Sequence, residues 1–143
     1  MRIACLAVEG VLAAGDDLKR AQPTKWGRSL YEALATEFRM ILFTQADPEI
    51  AQWWLKQEML KGWAGVMTQE PYLEYPDWKV RQIEDFLAEG WEVGLVLDVD
   101  PNVLERVTEL GVLTLLLSYP TTKVGWKSRE SSPRPWADVS GTL

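Results

Sequence analysis

The chain has 143 residues, with 15 basic and 21 acidic side chains for a net charge of −6, no histidine, and one cysteine, Cys5. A histidine general base, a Ser-His-Asp or Cys-His arrangement, a His-containing zinc site, an internal disulfide and a CxxC centre are all excluded. Any catalysis must run on carboxylates, lysine, hydroxyls and hard oxygen-ligated metals such as Mg²⁺. An apolar share of 47% suits one soluble domain with a core of its own. No run reaches the roughly 18 apolar residues of a membrane span, and Met1-Arg2-Ile3-Ala4 lacks a signal-peptide layout. The expectation is therefore a cytoplasmic protein with no membrane partner. Net negative charge argues against broad coating of nucleic acid, although a local basic patch can still hold a phosphate.

Taken in chain order, residues 2–8 form an almost continuous apolar run closed by Glu9-Gly10, the pattern of a strand buried on both faces. Residues 13–25 are small and polar and read as an excursion. From Trp26 to Phe38, Leu30, Ala33, Leu34 and Phe38 recur at helical spacing. Residues 39–43 are a second strand ending at Thr44. Asp47-Pro48-Glu49 opens a helix to about Leu60, with Asp47 as N-cap and Pro48 in the first turn. Residues 62–67 make a weaker third strand, followed by a loop at 69–76. Asp77 is placed to cap a helix from Trp78 to Ala88, ended by Gly90. Val93 to Leu97 is the strongest strand and stops at Asp98. A helix from Pro101 to Leu110 and a fifth strand, 112–117, complete the pattern.

Alternating strands and helices predict an α/β fold, a three-layer Rossmann-like sandwich around a mainly parallel five-stranded sheet. Residues 1–117 form this domain, and 118–143 read as an extended tail packing on it. In such sheets function collects at the carboxyl ends of the strands. There the sequence places Ala7-Val8-Glu9-Gly10, Thr44-Gln45 and Asp98-Val99-Asp100, with Lys79 at the start of a helix. Carboxylates, a hydroxyl and an ammonium on one edge suit a Mg²⁺-assisted phosphate site. Each residue also has a plainer reading. Glu9-Gly10 makes a solvated turn, Thr44 a turn residue, Lys79 a solvated first-turn lysine, and Asp98 to Pro101 an N-cap and turn. Asp98 is the strongest single signal, because a carboxylate after five apolar residues is poorly explained by the strand.

The order of these residues resembles that of the haloacid-dehalogenase-like (HAD) phosphohydrolases. Cys5-Leu6-Ala7-Val8-Glu9-Gly10-Val11-Leu12 is similar to the family's first motif, Asp-x-Asp-Gly-Thr/Val-Leu, and Met40 to Thr44 to its second. Lys79 is placed like the third-motif lysine, and Leu95 to Pro101 like the fourth motif, an acidic strand end. A response-regulator receiver uses similar groups, but its phosphoacceptor Asp ends the middle strand, where Met67-Thr68 stands here. The resemblance implies phosphomonoester hydrolysis through an aspartyl-phosphate. Glu9 would be the acid/base, and Thr44 and Lys79 would bind the phosphoryl group with Gly10 and Gln45. Mg²⁺ would be held by the Glu9 backbone carbonyl, Asp98 and Asp100.

The sequence departs from the family at the nucleophile, where Ala7 stands. A methyl group neither attacks phosphorus nor ligates a metal, so the chain as written is expected to be inactive. An engineered Asp→Ala change and a natural pseudoenzyme that binds or builds are both open. Val99 replaces the second acid found in many members. Glu9 matches the Asp-x-Glu variant of phosphoserine-phosphatase-like members.

The family resemblance also bears on partners. With only 13–25 and 69–76 as insertions, the site is expected to lack a cap, as in members that act on large substrates or nucleic-acid ends. Compact forms are also carried by bacteriophages. A phosphorylated nucleotide or nucleic-acid end is the expected partner. In the tail, Lys123, Lys127, Arg129 and Arg134 alternate with Trp126 and Trp136, a pattern for gripping a single strand or for wrapping the domain. Trp53 and Trp54 must face different sides of their helix, and the exposed ring suits a homodimer contact or a groove between the helix and the tail.

Overall fold

The structure, a computed structural model, describes residues 2–118. Five strands form one sheet: β1 (Ile3–Ala7), β4 (Arg39–Thr44), β5 (Trp63–Thr68), β6 (Val93–Asp98) and β7 (Thr114–Leu116). Their order across the sheet is β5-β4-β1-β6-β7, and every pairing in it is parallel. Crossovers run through α1 (Gly27–Ala35), α2 (Pro48–Gln57), α3 (Tyr75–Ala88) and α4 (Pro101–Thr108). The α/β sandwich expected from the alternation is therefore what the chain forms.

Strand β1 lies at the centre, paired with β4 on one side and β6 on the other. All five of its residues are buried, which is why it carries no polar alternation. Its side chains divide between two cores. Ala4 and Leu6 join Leu42, Trp54, Leu55 and Leu97, whereas Ile3 and Cys5 join Phe43, Trp78, Ile83, Val96 and Val103. The first core is closed by α1 and α2, the second by α3 and α4. Trp53 and Trp54 separate as their spacing requires: Trp54 is buried and its Nε1 donates to Ala21 O (3.0 Å), while Trp53 is 49% exposed.

Two local departures from expectation have physical causes, and a third concerns a helix cap. Residues 13–25 contain a small antiparallel hairpin, β2 (Ala13–Ala14) with β3 (Gln22–Pro23), and they bury Ala13 and Leu18. Thr24 ties this hairpin down, donating from Oγ1 to Val11 O (2.7 Å) and accepting from the Gly27 N–H (2.9 Å). Helix α3 starts at Tyr75, three residues before Trp78, with Glu74 as N-cap, so Asp77 falls inside the first turn. Pro76 explains the earlier start, since a proline suits a first turn whose N–H groups have no helical partner. Asp47 is the N-cap of α2, yet its side chain makes no capping hydrogen bond. The tail expected to pack on the domain, with its Lys, Arg and Trp residues, lies outside the described residues beyond Ser118.

Candidate active site

The strand order brings the carboxyl ends of β4, β1 and β6 side by side, so three chain segments distant in sequence meet at one edge. Ala7 ends β1 opposite Phe43, one residue short of Thr44, and is 1% exposed. The chain then turns sharply. Val8 O accepts from the N–H groups of Leu12 and Ala13, and Gly10 adopts a φ of +96°. A methyl group at Gly10 would stand 2.6 Å from Val99 Cγ2, so this turn requires glycine on both counts.

The turn delivers Glu9 to Thr44. Thr44 Oγ1 donates to Glu9 Oε2 (2.6 Å), the Gln45 N–H donates to Glu9 Oε1 (3.1 Å), and the Ala46 N–H donates back to Thr44 Oγ1 (3.0 Å). Burial pushes the Glu9 carboxyl above its ordinary value, against the hydrogen bonds from Thr44 and Gln45 and the charge of Lys79. Glu9 is thus a buried carboxyl that gives up its proton less readily than an exposed one. Gln45 takes part through its backbone, and its side chain is exposed.

A second group forms on the β6 side. Lys79 Nζ donates to Asp98 Oδ2 at 2.6 Å, and the two side chains are 0% and 1% exposed. Tyr75 OH donates to the same oxygen (2.9 Å), while Oδ1 accepts from the N–H groups of Val99 (2.7 Å) and Asp100 (3.0 Å). The ammonium also lies 5.0 Å from the centre of the Phe43 ring and 5.8 Å from that of Tyr75. Burial, then the charge of Asp98 and its hydrogen bond, push the Tyr75 phenol well above its usual range, so it acts as a donor. Asp100 turns away to cap α4, accepting from the Asn102 N–H (2.9 Å).

The two groups share one site, since Lys79 acts on the Glu9 carboxyl and Glu9 and Asp100 act on Tyr75. Glu9, Thr44, Gln45, Lys79 and Asp98 therefore gather at the sheet edge formed by the carboxyl ends of β4, β1 and β6, the edge at which Ala7 ends β1. Tyr75 was not singled out from sequence. Its signal was the spacing of four residues to Lys79, which puts both on one helix face once the helix begins at Tyr75. Cys5, two residues before Ala7, has its thiol pushed up to about 12 by burial and is no nucleophile.

The donor set does not fit a resident Mg²⁺. Positions 7 and 99 are apolar, Asp98 already accepts four hydrogen bonds, and Asp100 Oδ1 is committed to a helix cap. Among the described residues no three Asp, Glu or Cys side chains are grouped to hold a metal ion.

No family model and no curated protein matches the sequence. In structure, the chain is similar to a hydrolase of the haloacid-dehalogenase-like family from Streptococcus pneumoniae. The two superpose with a TM-score of 0.55 at 14% identity, over 88% of this chain and 62% of that one. The fold is HAD-like. The chain is also similar to a component of the Pnkp1/Rnl/Hen1 complex, with a TM-score of 0.68 at 15% identity over 84% of this chain. In the Pnkp1/Rnl/Hen1 RNA repair complex the figures are 0.64, 14% and 82%. The HAD-like domain spans 47% and 42% of those two chains, less than half of each. At these identities the likeness is one of fold.

Proposed function

We propose that the chain is a HAD-type phosphomonoester hydrolase whose nucleophile position is vacant, directed at nucleotide or polynucleotide phosphate. The observation that carries this reading is the constellation around buried Ala7. A buried acid whose carboxyl is pushed above its ordinary value and a hydroxyl bonded to it at 2.6 Å stand at adjacent strand ends, and a buried ammonium reaches the third strand end from α3. Likeness in fold to a component of an RNA repair complex supports the polynucleotide side of the reading.

With a carboxylate at position 7, an oxygen of that group would attack phosphorus while the ester P–O bond breaks. Glu9 would give its proton to the departing oxygen. Glu9, now charged, would then take a proton from water as the water oxygen attacks the acyl phosphate, releasing phosphate and the free carboxylate. Thr44 and Lys79 would hold the phosphoryl oxygens through both steps, which requires Thr44 to turn its hydrogen away from Glu9. The intact chain, with a methyl group in that place, performs neither step.

The test is Ala7→Asp. Phosphate release is measured with and without Mg²⁺ on nucleotides and on oligonucleotides phosphorylated at either end. Turnover by the variant, absent in the intact chain, is the expected result; no release from any substrate with Mg²⁺ present sinks the proposal. A second reading, a non-catalytic binding protein, is favoured by one observation. Among the described residues every buried side-chain nitrogen and oxygen has a hydrogen-bond partner, so the site is complete without a nucleophile. That reading predicts that the intact chain binds a phosphorylated oligonucleotide and leaves it unchanged.

A further inference from the structure

A carboxylate offers about four lone-pair sites in the plane of its oxygens. In Asp98 all four are taken, two by Lys79 and Tyr75 and two by the backbone N–H groups that follow it. The two kinds of donor do different things. The backbone bonds shape the turn into α4, while Lys79 and Tyr75 arrive from consecutive turns of α3 and lock that helix to β6. Among the described residues Lys79 has no other carboxylate bonded to it, and its surroundings are aromatic: Phe43 and Tyr75 face the ammonium. A buried ammonium among aromatic rings is costly without an anion, so Asp98 is the charge that keeps Lys79 in place. A divalent cation at Asp98 would have to displace Lys79 or Tyr75. It would find a methyl group at position 7 and an isopropyl group at position 99.

We infer that Asp98 is the structural counter-ion of Lys79, anchored by Tyr75, and that the site of this chain is electrically self-contained and takes no resident divalent cation. The inference rests on the HAD-type reading of the site, because only that reading leads one to expect a metal there. It assigns Tyr75 a positioning role: the phenol holds the oxygen that Lys79 also uses.

The test uses the intact ¹⁵N-labelled chain and Mn²⁺ as a paramagnetic probe. The amide signals of Glu9, Gly10, Thr44, Gln45, Asp98, Val99 and Asp100 are expected to keep their intensity relative to a Mg²⁺ control. Broadening confined to surface carboxylates elsewhere agrees with that. Selective, saturable broadening of the site amides that Mg²⁺ reverses would overturn the inference. A second measurement reads the counter-ion role by melting in EDTA. Asp98→Asn and Lys79→Met, each alone, are expected to lower the Tm or prevent folding, and the pair Lys79→Met/Asp98→Leu to recover most of the loss. An unchanged Tm for Asp98→Asn, or a double variant no more stable than the singles, counts against the role. Failure of Ala7→Asp to release phosphate would remove the proposed hydrolase function and leave both measurements standing.

Discussion

Glu9 sits where its charge is expensive, at the end of a central strand, and the hydrogen bonds it accepts do not fully offset burial. Its folded value lies above the ordinary 4.5, so the folded state holds the proton more tightly than the unfolded chain. The stability this adds is complete below the unfolded value and is lost as pH rises through the folded one. Melting followed upward from pH 4 should therefore show a component that falls, and Glu9→Gln should flatten it; an identical profile for the variant would contradict the assignment. Cys5 makes a simpler case. With its thiol pushed up to about 12 in the centre of the sheet, it should resist iodoacetamide at pH 8 in the folded chain and react once the chain is unfolded in urea. Rapid alkylation of the native protein would show that β1 is accessible. At this scale the acid, the hydroxyl and Asp98 were legible because each interrupts an apolar run at a strand end, and the ammonium because it falls early in a helix that precedes a strong strand. Their bonding was not. Nothing in the order of residues tells Asp98 that Tyr75 and Lys79 will both reach one of its oxygens.

Gly10 and Val99 couple two loops that come from opposite ends of the domain sequence. Gly10→Ala would combine a φ of +96° with a methyl group 2.6 Å from Val99 Cγ2, and should cost about 1–3 kcal/mol in urea unfolding. Adding Val99→Ala should return part of that loss, since it relieves the contact and leaves the backbone strain; no recovery would mean the contact is unimportant. Strand position sets the scale of core effects. Leu6→Ala in fully buried β1 should cost about 2–5 kcal/mol, whereas Leu116→Ala, 53% exposed on edge strand β7, should cost about 1 kcal/mol or less. Equal losses at the two positions would argue against the strand order. Elements with a strong period or a long apolar run were legible, and so were the proline-led starts of α2 and α4. The start of α3 was masked because Asp77 offers a capping side chain while Glu74, the residue that caps, uses none. The hairpin of β2 and β3 was hidden for a different reason. Two residues per strand carry no alternation, and its stability comes from Thr24 and Leu18 reaching neighbours far along the chain.

Over the whole molecule, the absence of histidine becomes a statement about pH. No side chain with an ordinary value between pH 6 and 8 is present, so Tm should be nearly constant across that range. A slope that persists in Glu9→Gln would require another titrating group. The architecture was legible because alternating strands and helices admit few arrangements, whereas the order that puts β1 in the middle came from the structure. That central placement has a further consequence. With parallel neighbours on both sides, the backbone carrying position 7 is held like a socket, and what is plugged into it alters reactivity while leaving the frame alone. The alanine codons GCU and GCC lie one base from an aspartate codon. Under the proposed hydrolase reading, a chain with such a codon at position 7 would stand one mutational step from carrying the reactive group.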